Sequence, residues 1–224
     1  MKSFIVYLSL LLSTASYSQV GIDAGTGVLS GFGVSRTFTN LHLGVEVPRS
    51  TNQTVYGRLS YFFPVKETTA LSTMVTANNT TINPYNLTVN YQRSTNYTIF
   101  EGGTRKYIGN DYDYGFSGYS GTNLMVILNK VKNNYEKTDA TGTYNWSDNY
   151  SLSPGETTEG SILSVGVGFQ LGVKYTFPAV GSVYADMSAQ YLIFGQASNQ
   201  TAYNSQLISK LFFIFNVGFR KDLY

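Results

Sequence analysis

The stretch Leu163-Ser164-Val165-Gly166-Val167-Gly168-Phe169-Gln170-Leu171-Gly172-Val173-Lys174-Tyr175-Thr176-Phe177 alternates without a break. Every odd position is apolar; the even positions hold serine, glycine, glutamine, lysine and threonine. Successive side chains of a strand point to opposite faces, so these fifteen residues build one apolar wall and one small, polar wall. Globular strands usually run only about 5–6 residues. A strand this long with a wholly apolar face predicts an all-β fold: an antiparallel, up-and-down transmembrane β-barrel.

Working outward, Met1–Ser18 has the layout of a secretory signal peptide. Lys2 supplies the positive start, Phe4–Leu12 a mostly apolar core, and Ser16 and Ser18 the small residues before a cleavage site. That core is about half the roughly 20 residues a membrane-spanning helix needs. The chain then divides into a signal peptide over 1–18 and an outer-membrane β-barrel over 19–224. The absence of cysteine excludes a lipid-modified N-terminal cysteine and a disulfide-stapled scaffold.

Loss of Lys2 takes the formal charge from +2 to +1, a balance that gives no electrostatic case for binding nucleic acid. Charged residues make up only 12% of the chain, about half the usual share, while 22 glycines, 19 tyrosines and 14 phenylalanines enrich it in small and aromatic residues. A barrel in lipid accounts for all three features through interfacial aromatics, tight curvature and an uncharged outer wall. The competing readings are a secreted β-sandwich and an amyloid-prone adhesin.

Short breaks at Phe38–Leu41, Phe63–Lys66, Ile108–Gly115 and Phe177–Gly181 read as tight periplasmic turns. Polar stretches at Pro48–Gln53, Asn78–Pro84, Lys132–Gly160 and Gly195–Gln206 read as outer loops. Alternating the two kinds predicts nine strands, and a tenth over Val20–Ala24 turning at Gly25-Thr26-Gly27 brings both ends to the periplasm. Ten strands is the preferred count. Eight is the alternative, reached if Phe63-Pro64 is a kink and 66–93 an extended outer loop.

Parity within each strand gives a lumen set. Glu46, Glu101 and Asp186 face inward with Arg58, Arg105, Lys174 and Arg220. Buried charges must be paired, because an isolated one costs several kcal/mol. The set therefore predicts either a salt-bridged plug or a polar pore lining. Leu124–Leu128 shows no clean alternation and receives no facing. The single histidine, His42, lies about 13 Å along the strand from Glu46, beyond hydrogen-bond reach. No G-x-S-x-G elbow, cysteine nucleophile or metal-ligand spacing occurs, so no catalytic residue, metal site or cofactor is predicted. Asp139, Asp148, Glu156 and Glu159 are too dispersed to mark a Ca²⁺ site.

Phe213-Ile214-Phe215-Asn216-Val217-Gly218-Phe219-Arg220, closing on Tyr224, resembles the terminal strand of Gram-negative outer-membrane barrels. Gly33–Leu41 and Gly172–Pro178 resemble strand–turn segments of the small OmpA/OmpX/OmpW-like kind. The resemblance implies an outer-membrane location and contact with outer-membrane lipid and lipopolysaccharide. It also makes Phe215, Gly218, Phe219 and Tyr224 an assembly signal read by the barrel-assembly machinery. Lys132–Gly160, which holds the only tryptophan, is the candidate surface for an extracellular partner. The expected role is structural or interactive rather than enzymatic. A small-solute or hydrophobic-ligand pore and a membrane-embedded hydrolase or acyltransferase are the alternatives.

Overall fold

The computed structural model describes residues 20–31, 36–67, 71–111, 113–136, 144–145, 151–152, 157–198 and 210–223. The leader at 1–18, Trp146, Tyr224, Asp139, Asp148, Glu156 and most of the 137–156 stretch lie outside them. The strands are β1 (Val20–Gly31), β2 (Thr37–Ser50), β3 (Gln53–Lys66), β4 (Leu71–Ala77), β5 (Asn86–Gly109), β6 (Gly115–Tyr135), β7 (Tyr144–Asn145), β8 (Ser151–Leu152), β9 (Thr157–Phe177), β10 (Gly181–Ala197) and β11 (Leu211–Leu223).

Eight of them close a ring in the order β3-β2-β1-β11-β10-β9-β6-β5, and β5 pairs back onto β3 from Gln53↔Lys106 to Lys66↔Ser94. All ring pairings are antiparallel. The barrel is therefore eight-stranded, and the preference for ten is corrected. Three segments misled the count. The first is Gly25-Thr26-Gly27, which lies within β1 rather than in a turn. A Cβ on Gly25 would come 2.6 Å from Gly218 Cα and 2.7 Å from His42 Nε2, so this glycine admits a neighbouring strand and ring. The second, Phe38–Leu41, is the interior of β2, which turns instead at Thr51-Asn52. The third, Phe63–Lys66, continues β3 across a register shift between Phe62 and Val65, where the missing Pro64 N–H is tolerated.

One end of the ring carries short turns at 51–52, 110–114 and 178–180. At the last, Gly181 has φ +140°, a conformation that side-chain-bearing residues rarely adopt. Toward the other end β5, β6 and β9 run on for 21–24 residues, past the end of β3. There β4 takes over from β3 as the partner of β5, and β7 and β8 extend the sheet beyond β4. Val75, Ala77, Val89, Tyr135 and Tyr144 form a separate apolar cluster in this extension. The Lys132–Gly160 stretch thus begins in β6 and ends in β9, with β7 and β8 between them.

The outer wall is apolar around the ring. Leu41, Leu43 and Val45 of β2, Phe100 of β5, Leu124, Val126 and Leu128 of β6, and the odd residues Leu163–Phe177 of β9 are all exposed. Soluble monomers rarely expose a contiguous apolar surface beyond a few hundred Å². A lipid-facing wall has no such limit.

The close approach at Gly25 is testable. Gly25→Val should abolish the compact, heat-modifiable band in detergent. Gly57→Ala, whose Cβ would meet only Glu101 O at 4.0 Å, should preserve it.

Candidate functional site: the lumen

The ring folds residues of eight strands into one interior, where a polar tier and an apolar tier are stacked. Toward the short-turn end Asp23, Glu46, Glu101 and Asp186 meet Arg58, Arg105 and Arg220, all buried. Arg58 is the hub. Its Nη2 lies 2.8 Å from Asp186 Oδ2, its Nη1 3.2 Å from Glu101 Oε1, and its Nε 3.8 Å from Asp23 Oδ1. Arg58 on β3 and Asp186 on β10 stand on opposite strands of the ring, so this pair spans the barrel.

Arg105 makes the second centre. Its Nη1 donates to Glu46 Oε2 at 2.6 Å, its Nε donates to Gln170 Oε1 at 3.0 Å, and its Nη2 lies 3.7 Å from Asp186 Oδ2. Its guanidinium sits 4.0 Å over the Tyr56 ring and 5.0 Å from that of Tyr119. Such stacking is a further source of attraction for a desolvated cation. Glu46 also accepts from Thr54 at 2.6 Å and from Tyr107, and lies 3.4 Å from Arg220 Nη1. Arg220 Nε in turn lies 3.1 Å from Asp222 Oδ1. Lys174 Nζ sits 4.3 Å over the Tyr107 ring. All seven residues of the lumen set thus share one network, and Lys174 enters it through an aromatic face.

Several members were not anticipated. Asp23 was hidden because the start of β1 was read as a short strand ending in a turn, although its apolar neighbours Ile22 and Ala24 mark it as inward. Tyr107, Tyr119 and Tyr184 supply hydroxyls that knit the carboxylates together, while Tyr56 offers its ring face to Arg105. Tyr119 donates to Asp186 at 3.2 Å, and Tyr184 donates to Asp23 at 2.9 Å. Tyr184 alternates with Val183 and Ala185 and reads as inward from the sequence, whereas Tyr107 and Tyr119 give no parity signal because tyrosine suits both faces of a barrel. Room for these rings comes from glycine, since a Cβ on Gly218 would lie 2.5 Å from the Tyr184 hydroxyl.

His42 is a member of this packing. Its Nε2 lies 2.6 Å from the Tyr184 hydroxyl, which already donates to Asp23, so the ring N–H points at the tyrosine oxygen. The ring is buried among side chains. No group of three histidine, cysteine or acidic residues among the described residues is placed to hold a metal ion.

The second tier lies toward the long-loop end and is apolar. Leu29, Phe38, Phe62, Tyr97, Ile99, Met125, Ile127, Phe212 and Ile214 form one buried cluster. Phe38 and Tyr97 meet edge to face, with ring centroids 4.9 Å apart. Met125 and Ile127 explain the missing alternation in Leu124–Leu128. That strand is apolar on both faces because the lumen itself is apolar at this height. Above this tier Arg36 closes on Glu67 at 2.5 Å.

Removing one partner from a buried ion pair typically costs about 3–5 kcal/mol, since the other charge stays buried. Asp186→Ala strips Arg58 of its shortest ion pair, so it should lower barrel stability by about that amount in detergent unfolding. Glu159→Ala, which breaks the exposed pair with Lys132, should leave the midpoint unchanged.

No family model matches the chain, and no curated relative matches it in sequence. Solved structures resemble it in fold. Neisserial surface protein A is 12% identical, covering 91% of this chain and 95% of its own, with a TM-score of 0.45. Ail, the attachment invasion locus protein of Yersinia pestis, solved with the heparin analogue sucrose octasulfate, is 10% identical over 91% and 97%, with a TM-score of 0.43. The N-terminal β-barrel domain of Pseudomonas aeruginosa OprF is 12% identical over 91% and 97%, with a TM-score of 0.40. The likeness to these small outer-membrane β-barrels is one of fold.

Proposed function

We propose that the protein is an integral outer-membrane β-barrel whose lumen is plugged, and that its role is structural or interactive rather than catalytic or conductive. One observation carries this reading: the interior is occupied by paired charges at one height and by a packed apolar cluster at another. Eight-stranded barrels are just wide enough for side chains to fill them. A water-filled pore would hydrate its charges rather than draw them into a contact of 2.8 Å across the ring and one of 2.6 Å between β5 and β2.

The apolar outer wall favours lipid as its solvent, with the short turns in the periplasm and the extended β4–β9 end outside. The inferred partners are outer-membrane lipid and lipopolysaccharide around the wall, and the barrel-assembly machinery at insertion. Phe215, Gly218 and Phe219 of β11 would serve as that machinery's signal together with Tyr224. Phe215 and Phe219 lie exposed on the outer face. The β4–β5–β6 extension and the 132–160 segment are the surface offered to an extracellular partner. A catalytic reading has no support from His42, which is packed against Tyr184 and away from solvent.

Planar-bilayer recordings test the reading. The purified protein should insert without steady conductance steps. Large, stable, ion-conducting steps from the unmutated barrel would mean that the charges line water.

A further inference from the structure

The outer wall changes character abruptly at one height on one side of the ring. From Phe116 to Leu128 no outward residue of β6 carries a charge. That length of strand covers about 40 Å, or roughly 30 Å of height at the usual barrel tilt, which matches the hydrocarbon core of a bilayer. The next two outward positions are Lys130 and Lys132, both exposed. Lys130 stands opposite Asn96 of β5 and Ser161 of β9, and Lys132 opposite Ser94 and Glu159. Ser94 pairs in turn with Lys66 of β3, which is also exposed.

Ser94, Asn96, Lys130, Lys132 and Ser161 line one open cleft of about 430 Å³. Small-ligand clefts usually span about 300–1,000 Å³. Lys66 stands beside this cleft, roughly 10 Å from Lys132 across β5, and Lys130 lies about 7 Å from Lys132 along β6. Flexible lysine stems close such separations. Glu159 is the one carboxylate in the lining, with Oε1 2.9 Å from Lys132 Nζ. Three ammonium groups thus face one carboxylate. Glu136 lies about 13 Å farther along β6 and accepts from Asn90 at 3.2 Å.

Lysines at a membrane boundary commonly reach toward head groups, but here they cluster. At the same end of β1 and β2 the outward residues Val28, Ser30, Thr37 and Thr39 carry no charge. On β10 and β11 Lys210 is the single cation there among the described residues. The aromatic pair Tyr61 and Phe63, with ring centroids 5.8 Å apart, marks the boundary beside the cleft, and Asn96 Nδ2 donates to the Tyr61 hydroxyl at 3.4 Å.

We propose that this cleft seats the phosphate of a glycolipid in the outer leaflet. The proposal rests on the reading above, in which the wall lies in lipid with the extended β4–β9 end outside. The cleft faces sideways at the upper edge of the apolar wall, the depth at which a lipid anchored in that leaflet presents its head group. Acyl chains run along Val126, Leu128, Leu163 and Val165, which are exposed on the same face. The phosphate meets Lys66, Lys130 and Lys132 as point charges and accepts from the Ser94 hydroxyl. Above the lysines the next outward row is Gln92, Asn134 and Thr157, uncharged side chains that suit sugar hydroxyls.

The test uses the full barrel in neutral detergent micelles and native mass spectrometry, with monophosphoryl lipid A as probe against its dephosphorylated form. A saturable adduct should form, with the phosphorylated lipid bound about tenfold more tightly. Lys130→Gln/Lys132→Gln, checked for heat-modifiable migration, should remove that preference, and Lys130→Arg/Lys132→Arg should keep it. Lys66→Gln, on a separate strand, should weaken it even if the double variant fails to fold. Lys106→Gln, at the opposite edge of the wall, should leave it intact. Inorganic phosphate should not displace the lipid, and phosphatidylglycerol, which has phosphate without sugars, should bind more weakly. Equal binding of the two lipid forms by the folded barrel, an unchanged preference in the glutamine variants, displacement by inorganic phosphate, or equal binding of phosphatidylglycerol would each overturn the site and leave the plugged barrel standing. Recovery of the chain as a soluble monomer without detergent would overturn both.

Discussion

The strut between Arg58 and Asp186 is the interaction on which the rest of the barrel depends. Its partners sit on opposite strands of the ring and 128 residues apart in sequence, so it can form only when every strand between them is in place. Asp186 also accepts from Asn216 at 2.9 Å and from Tyr119 at 3.2 Å. Two further strands, β11 and β6, are thereby tied to the same carboxylate. The sheet hydrogen bonds hold neighbours together, but they do not choose among registers. The strut does.

A one-residue slip in any strand would carry its charges to the apolar outer wall. A two-residue slip would keep them inside but pull each about 6–7 Å along the axis from its partner. Buried ion networks are poor sources of net stability compared with apolar packing, and fixing register is one of their attested uses. The division into tiers fits this view. Packing comes from the apolar cluster around Phe38, Phe62 and Tyr97 and from lipid outside, while the ions below set which residue faces which.

Most of the wall was legible in the sequence because a membrane barrel writes its two faces into alternate residues. Parity on β9, β10 and β11 placed Lys174, Asp186 and Arg220 inward without any knowledge of topology. The count was harder to read, for three physical reasons. Gly25 and Gly27 look like a turn, yet they are small because neighbouring groups press against them. Pro64 looks like a strand end, yet a bulge accommodates it. Asn40 looks like a turn residue, yet it faces inward with its Nδ2 donating to Asn216 at 3.4 Å. The apolar tier left only a negative trace, the loss of alternation at Met125 and Ile127. The cross-ring partners of each charge left none, since pairing between β3 and β10 is a property of closure and not of any one strand.

The most direct test of the central claim is a double-mutant cycle on Arg58→Met and Asp186→Leu, read by reversible unfolding of the barrel in detergent. Contacting members of one buried network typically couple by about 0.5–3 kcal/mol, whereas independent sites add within about 0.3–0.5 kcal/mol. A ring-spanning strut predicts coupling toward the upper end, with the double variant recovering much of the stability that either single variant loses. Additive effects of the two substitutions would contradict it.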